Sequence, residues 1–157
     1  MLNGNDMIVN LGGIKKVECA EGVKIKRAFA GDKPEILDFI ANNFSKGWVY
    51  EAERAIMSPV PKCYIATYEG RVVGFACYDS SALGFFGPIG VDPSMRGKKI
   101  GEALLKRTLV AMREYGYWYA VIGWVSDAEN FYRKTVGAEF IKGGNPENSV
   151  YSNMVSM

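Results

Sequence analysis

The sequence predicts a mixed α/β fold around a central, mostly antiparallel sheet, and three observations carry that prediction. Short segments with strand character follow one another in the first half and are joined by tight turns. Longer segments with apolar residues every three or four positions lie between them, as in helices that pack on a sheet. The chain has 157 residues, 48% of them hydrophobic, which suits one domain and one sizeable core.

Residues 7–11, Met-Ile-Val-Asn-Leu, read as a short strand within an N-terminal extension of residues 1–22. Residues 23–28 alternate apolar and polar with period two and read as the next strand. Asp32 with Glu35 three positions on, and Pro34 early in the turn, mark a helix start. Ile36, Leu37, Phe39, Ile40 and Phe44 carry that helix to about Gly47. A second helix covers 49–57 and is stopped by Pro59 and Pro61. Strands at 63–68 and 72–78 flank the hairpin loop Glu69-Gly70-Arg71. Residues 83–91 form another strand, interrupted by Gly84, Gly87, Pro88 and Gly90. So many breaks imply a bulge or the close approach of another molecule. The longest helix runs over 99–115, with Gly116 ending it. Residues 118–124 are continuously apolar, which predicts a strand buried on both faces. A short helix at 128–136, stopped by Gly137, and closing strands at 138–141 and 149–155 complete the chain.

Composition narrows the function. A net charge of +2, from 19 basic and 17 acidic residues, argues against nucleic acid or an anionic membrane as the main partner. Three cysteines without CxxC spacing fit a reduced compartment better than a disulfide framework. The first residues lack the order of a signal peptide and no apolar run spans a bilayer, so a cytoplasmic protein is expected. There is no histidine at all. That excludes a Ser-His-Asp hydrolase and a His-ligated zinc enzyme, and no metal is expected. Acid–base chemistry must come from Glu, Asp, Tyr, Lys, Cys or water.

The segment most suited to chemistry is the junction from Val91 through Arg96-Gly97-Lys98-Lys99-Ile100-Gly101. A strand ends, a loop turns, and a helix opens with unpaired N–H groups and positive partial charge. Gly97 and Gly101 let a ligand come close, while Arg96, Lys98 and Lys99 add charge. The result is a site for a di- or triphosphate. Its glycine spacing is neither that of a Walker loop nor that of a dinucleotide fingerprint.

This turn, after a Val-x-Pro strand end, resembles the CoA-binding motif of the GNAT superfamily of N-acetyltransferases. The resemblance covers residues 23–141 in the same order of elements. It implies a splayed pair of strands in a sheet of six to seven, and acetyl-CoA as cosubstrate. It implies that backbone amides from Arg96 to Gly101, including Lys98, Lys99 and Ile100, hold the pyrophosphate. Ile89, Gly90 and Val91 would bond the pantetheine arm. Lys99 stands where the family usually has glycine, which suits a helical backbone at that position. The stretch Ala128-Glu129-Asn130-Phe131-Tyr132-Arg133-Lys134 is similar to the family's Ala-x-x-Leu-Tyr-x-Lys helix. On that likeness Tyr132 is the candidate general acid for the departing thiolate. Val125 occupies a place where the family often has Asn, and Asn130 or Ser126 can supply the missing polar contact. The base is drawn from Glu51, Glu53, Asp79 or a water relay. Glu53 is favoured because it lies on the helix that the family uses to wall its acceptor site. Trp48, Tyr50 and Trp124 are candidates to line an acceptor pocket. The resulting expectation is direct acetyl transfer, in a ternary complex, to the primary amine of a small molecule or peptide. The family often forms homodimers. The alternatives are a non-catalytic acyl-CoA-binding module on the same fold and an unrelated nucleotide-binding domain.

Overall fold

A computed structural model describes residues 4–155 of the chain. Seven strands form one open sheet: β1 (Asn5–Asn10), β2 (Val23–Arg27), β3 (Cys63–Tyr68), β4 (Arg71–Tyr78), β5 (Phe85–Val91), β6 (Tyr119–Val125) and β7 (Glu139–Phe140). Their spatial order is β2-β3-β4-β5-β6-β1-β7. Every pairing is antiparallel except β5 with β6. That parallel pair needs a crossover, which α3 (Ile100–Tyr115) supplies. The N-terminal segment is thus not an appendage: β1 inserts between β6 and β7.

The helices follow local chemistry. The helix α1 (Lys33–Asn43) has Pro34 in its first turn, and Ile36, Phe39 and Ile40 are buried beneath it. At α2 (Lys46–Ile56), the Ser45 side chain accepts from the Trp48 N–H and caps the start. Both lie on one face of the sheet over Ile65, Phe75 and Cys77. On the other face α3 buries Leu104, Leu105, Leu109 and Met112 against β1, β3, β4 and β6. The fourth helix, α4 (Glu129–Val136), ends where Gly137 takes φ 68°, a left-handed cap that glycine adopts without penalty.

Three sequence expectations need correction. Residues 149–155 do not form a strand: Val150–Asn153 is a 3-10 turn, entered after a second one at Pro146–Asn148. Asn145 caps the latter and Pro146 starts it, which commits the backbone to turning. The strand β6 is not buried on both faces, because Trp118 and Tyr119 stand about 60% exposed where no helix covers the sheet. Lys99 is not helical but left-handed, with φ 60° and ψ 20°.

Candidate active site

The backbone between β5 and α3 forms an anion cradle. Asp92 opens it: its Oδ1 accepts from the N–H and the hydroxyl of Ser94 at 2.9 and 2.8 Å. Those bonds hold the Asp92 carboxyl below the usual carboxylate range. Gly97 then takes φ 81° and Lys99 φ 60°, which swing the chain into the helix. The first ladder bond of α3 runs from Ala103 N–H to Lys99 O at 3.0 Å. The N–H groups of Ile100, Gly101 and Glu102 therefore have no carbonyl one turn back. Arg96, Lys98 and Lys99 are exposed around them. A Cβ at Gly101 would meet Phe131 at 3.6 Å and Val91 at 3.8 Å, ordinary contacts. Glycine there gives clearance to a ligand rather than relieving a clash.

The sheet opens beside this turn. The pairing of β5 with β6 is confined to Phe85↔Val121 and Phe86↔Ile122. At the next residue, Gly87, φ is 120° and the strands part. On its other edge β5 stays paired with β4, with Gly74 opposite Val91 and Phe75 opposite Gly90. Asp92 N–H bonds Val73 O at 2.8 Å, so Gly90 also turns toward β4 in the alternation of an antiparallel pair. Ile89 and Val91 then direct their N–H and C=O groups into the gap. Gly90 has a further constraint, because a Cβ there would stand 2.5 Å from the Phe44 ring.

One cavity of about 1100 Å³ runs through the gap, from Arg96, Gly97 and Lys99 at one end to Trp48, Glu51 and Ser81 at the other. Tyr132, buried at 6% exposure, lines its middle with its ring edge-on to Phe86, centroids 6.4 Å apart. Burial holds its phenol well above the ordinary tyrosine range, so it stays protonated at neutral pH.

Of the expected site residues, Ile89, Gly90, Val91, Arg96, Gly97, Lys99, Ile100, Gly101 and Tyr132 share this cavity wall. Lys98 and Asn130 are exposed outside it. Val125 and Ser126 both line the cavity, so Ser126 is the polar group near the position that the family gives to Asn. Glu53 is corrected. It faces outward, 3.5 Å from the Lys33 ammonium, and does not reach the cavity. Asp79 is committed elsewhere, to the Lys62 ammonium at 2.9 Å, the Tyr117 hydroxyl and the Gly84 N–H. Glu51 lines the cavity, its Oε1 accepting from the Ser81 hydroxyl at 3.0 Å. Burial raises its carboxyl above the usual range, with the Ser81 bond partly opposing. A sequence signal for this existed: Glu51 lies three residues after Trp48, on the same helix face, whereas Glu53 is about 200° further round.

Tyr151 lines the cavity too, and no sequence signal marked it. It projects from the C-terminal 3-10 turn over Gly123, whose missing Cβ would otherwise overlap the phenol. Its ring meets Trp124 edge-on at 5.0 Å, and burial raises its hydroxyl to about 12.

The profile of the acetyltransferase (GNAT) family matches residues 29–138, more than half of the chain. The chain belongs to the GNAT family. Among curated proteins none matches the sequence. Among solved structures, a GCN5-related N-acetyltransferase from Sphaerobacter thermophilus is 19% identical with TM-score 0.71, over 88% of this chain and 49% of that one. One from Kribbella flavida is 19% identical with TM-score 0.65, over 90% and 55%. A GNAT acetyltransferase from Brucella melitensis, in complex with acetyl-CoA, is 22% identical with TM-score 0.52, over 69% and 80%. The present chain spans about half the length of the Sphaerobacter and Kribbella proteins. At these identities the likeness is one of fold. Among the described residues no helix is long and apolar enough to cross a membrane.

Proposed function

We propose that this GNAT domain transfers an acetyl group from acetyl-CoA to a primary amine by direct attack in a ternary complex. The observation that carries the reading is the single cavity, which joins the anion cradle, the open edge of β5, Tyr132 and Glu51. The open N–H groups of Ile100, Gly101 and Glu102, with Arg96 and Lys99, suit the pyrophosphate. Ile89 and Val91 offer backbone groups to the amides of the pantetheine arm, which brings the thioester to the part of the gap near Tyr132. The Brucella protein, of the same fold, holds acetyl-CoA, which supports this choice of donor.

In this reading the acceptor arrives as an ammonium ion and gives one proton to Glu51, whose raised carboxyl is a better base than a free one. The free amine attacks the carbonyl carbon, and the Val91 N–H stabilises the oxyanion. The C–S bond breaks and Tyr132 gives its phenolic proton to the sulfur. The nitrogen loses a second proton as the amide forms, and that proton restores Tyr132. Glu51 passes its proton to solvent. The net products are the acetamide, CoA thiol and one released proton. Holding both substrates in one cleft supplies much of the acceleration.

The test is product formation with acetyl-CoA over a panel of amines, for wild type and Tyr132→Phe. Losing a general acid costs about 10²-fold in kcat, while the CoA dissociation constant measured by calorimetry stays unchanged. An unchanged rate removes Tyr132 from its role. A domain that only binds acyl-CoA would give calorimetric binding and no product with any amine.

A further inference from the structure

The acceptor end of the cavity has a composition that selects among amines. Glu51 stands there with Trp48 one turn before it on α2, and Phe44 stacks on Trp48 with ring centroids 5.1 Å apart. The opposite wall is the Trp124–Tyr151 pair. The floor toward the sheet is Gly90 under Phe44 and Gly123 under Tyr151, both without side chains. This end is therefore an aromatic slot with one carboxylate in it.

The charges that are missing matter as much. Among the described residues, the cationic side chains on the cavity wall are Arg96 and Lys99, and both belong to the donor turn. The basic residues nearest Glu51 in the chain do not line the slot. Lys46 is exposed at the helix start, and Arg54 donates to the Ser80 carbonyl at 3.0 Å. The other carboxylates on the wall, Glu102 and Asp127, lie at the start of α3 and in the loop after β6. An acceptor carboxylate would thus enter the slot beside Glu51 with no counter-charge. A second ammonium would enter with no second carboxylate among the aromatic rings.

Building on the acetyl-transfer reading, we propose that the acceptor is a monoamine with an aromatic or branched apolar body and no carboxylate, its nitrogen set beside Glu51. The rings hold the body, and Glu51 both recruits the ammonium and rejects acids.

Three acceptors decide it with the full chain and acetyl-CoA: 2-phenylethylamine, L-phenylalanine and spermidine. The first two share ring and amine and differ by one carboxylate. We expect kcat/KM for phenylethylamine to exceed that for phenylalanine by at least about tenfold, the size of one unfavourable charge contact in a partly buried site. Spermidine should fall below phenylethylamine as well. In Glu51→Gln the rate with phenylethylamine should drop and the ratio to phenylalanine should narrow, since the repelling charge is gone. That ratio is internal to the variant, so a loss of folded protein does not mimic it. Phenylethylamine should also change the fluorescence of Trp48 and Trp124 in the wild type with CoA bound. Equal or reversed preference between phenylethylamine and phenylalanine, preference for spermidine, or an unchanged ratio in Glu51→Gln overturns the proposal. If CoA binds by calorimetry and none of the three amines is acetylated, the acceptor assignment fails while the donor site stands. If CoA does not bind, the reading of the cavity itself fails.

Discussion

Lys99 carries two opposed properties in one residue. Its backbone is left-handed, a region that costs a residue with a Cβ about 1–2 kcal/mol, while its charge faces the donor end of the cavity. Glycine is the residue that the family resemblance implies here, and the structure supplies a physical reason: the chain must pass through positive φ to aim the α3 N–H groups at one point. The substitution Lys99→Gly should therefore stabilise the fold by about 0.5–1 kcal/mol in chemical denaturation, the strain relief less the added chain entropy. CoA affinity should fall a few-fold through the lost charge. Lys99→Ala should weaken CoA equally without the gain in stability, because strain remains. If both variants match wild type in stability, the left-handed backbone is not what the lysine contends with. The same scale shows what a sequence reveals. The donor turn is legible because its groups are consecutive and its chemistry is mostly backbone. The acceptor end is not, since Glu51, Ser81 and Tyr151 come from α2, the β4–β5 loop and the C-terminal turn. A lone carboxylate on α2 could be assigned only by asking which helix face carries Trp48.

At the scale of elements, Asp6 of β1 ties the far end of β6 to the C-terminal turn. Its Oδ1 accepts from the Trp124 N–H at 2.9 Å, where Trp124 takes φ 53°, and its Oδ2 accepts from the Ser149 hydroxyl. Asp6 is buried at 6% exposure, so these bonds are made out of reach of bulk water. One carboxylate thus fixes both the bend at the end of β6 and the turn that delivers Tyr151. This explains why the closing strand expected at 149–155 is absent. Residues 149–153 are held by side-chain bonds and ring packing rather than by a ladder. Strand assignments succeeded in the β3–β4 hairpin and also where partners lie far apart in sequence, as for β1 and β6, and failed where a tail folds back over a finished sheet. Ser149→Ala removes one of these bonds and should cost about 1 kcal/mol. Its larger effect should be on the acceptor: KM for a good amine should rise several-fold as Tyr151 loses its anchor, with kcat falling less and CoA affinity unchanged. Steady-state kinetics with calorimetry check this. A change in CoA affinity alone would place the C-terminal turn at the donor side instead.

The whole molecule consists of two apolar cores on opposite faces of one sheet, one under α1 and α2 and one under α3. The cavity has walls from both, with Phe44 and Trp48 from the first and Phe86, Ile100 and Tyr132 from the second. A ligand in the gap therefore contacts parts that separate when the chain unfolds, and its binding energy adds to global stability. At a hundred times its dissociation constant CoA should contribute about 2.7 kcal/mol, by mass action. For a domain of this size that is a rise in Tm of roughly 5–10 °C. The cations at the donor end are exposed, so their share of the binding is screened by salt. Raising ionic strength from about 50 mM to about 500 mM shortens the screening length well below the span of the cradle. The CoA-dependent rise in Tm, at fixed CoA, should then shrink by about half of its low-salt value, the effect of a roughly tenfold loss of affinity, whereas the rise from pantetheine, which lacks the phosphates, should hardly move. Thermal melts of the same protein in the two salts, with each ligand in turn, measure both. A CoA effect as salt-insensitive as that of pantetheine would mean that Arg96 and Lys99 do not hold the phosphates, and the donor end of the cavity would have to be reassigned.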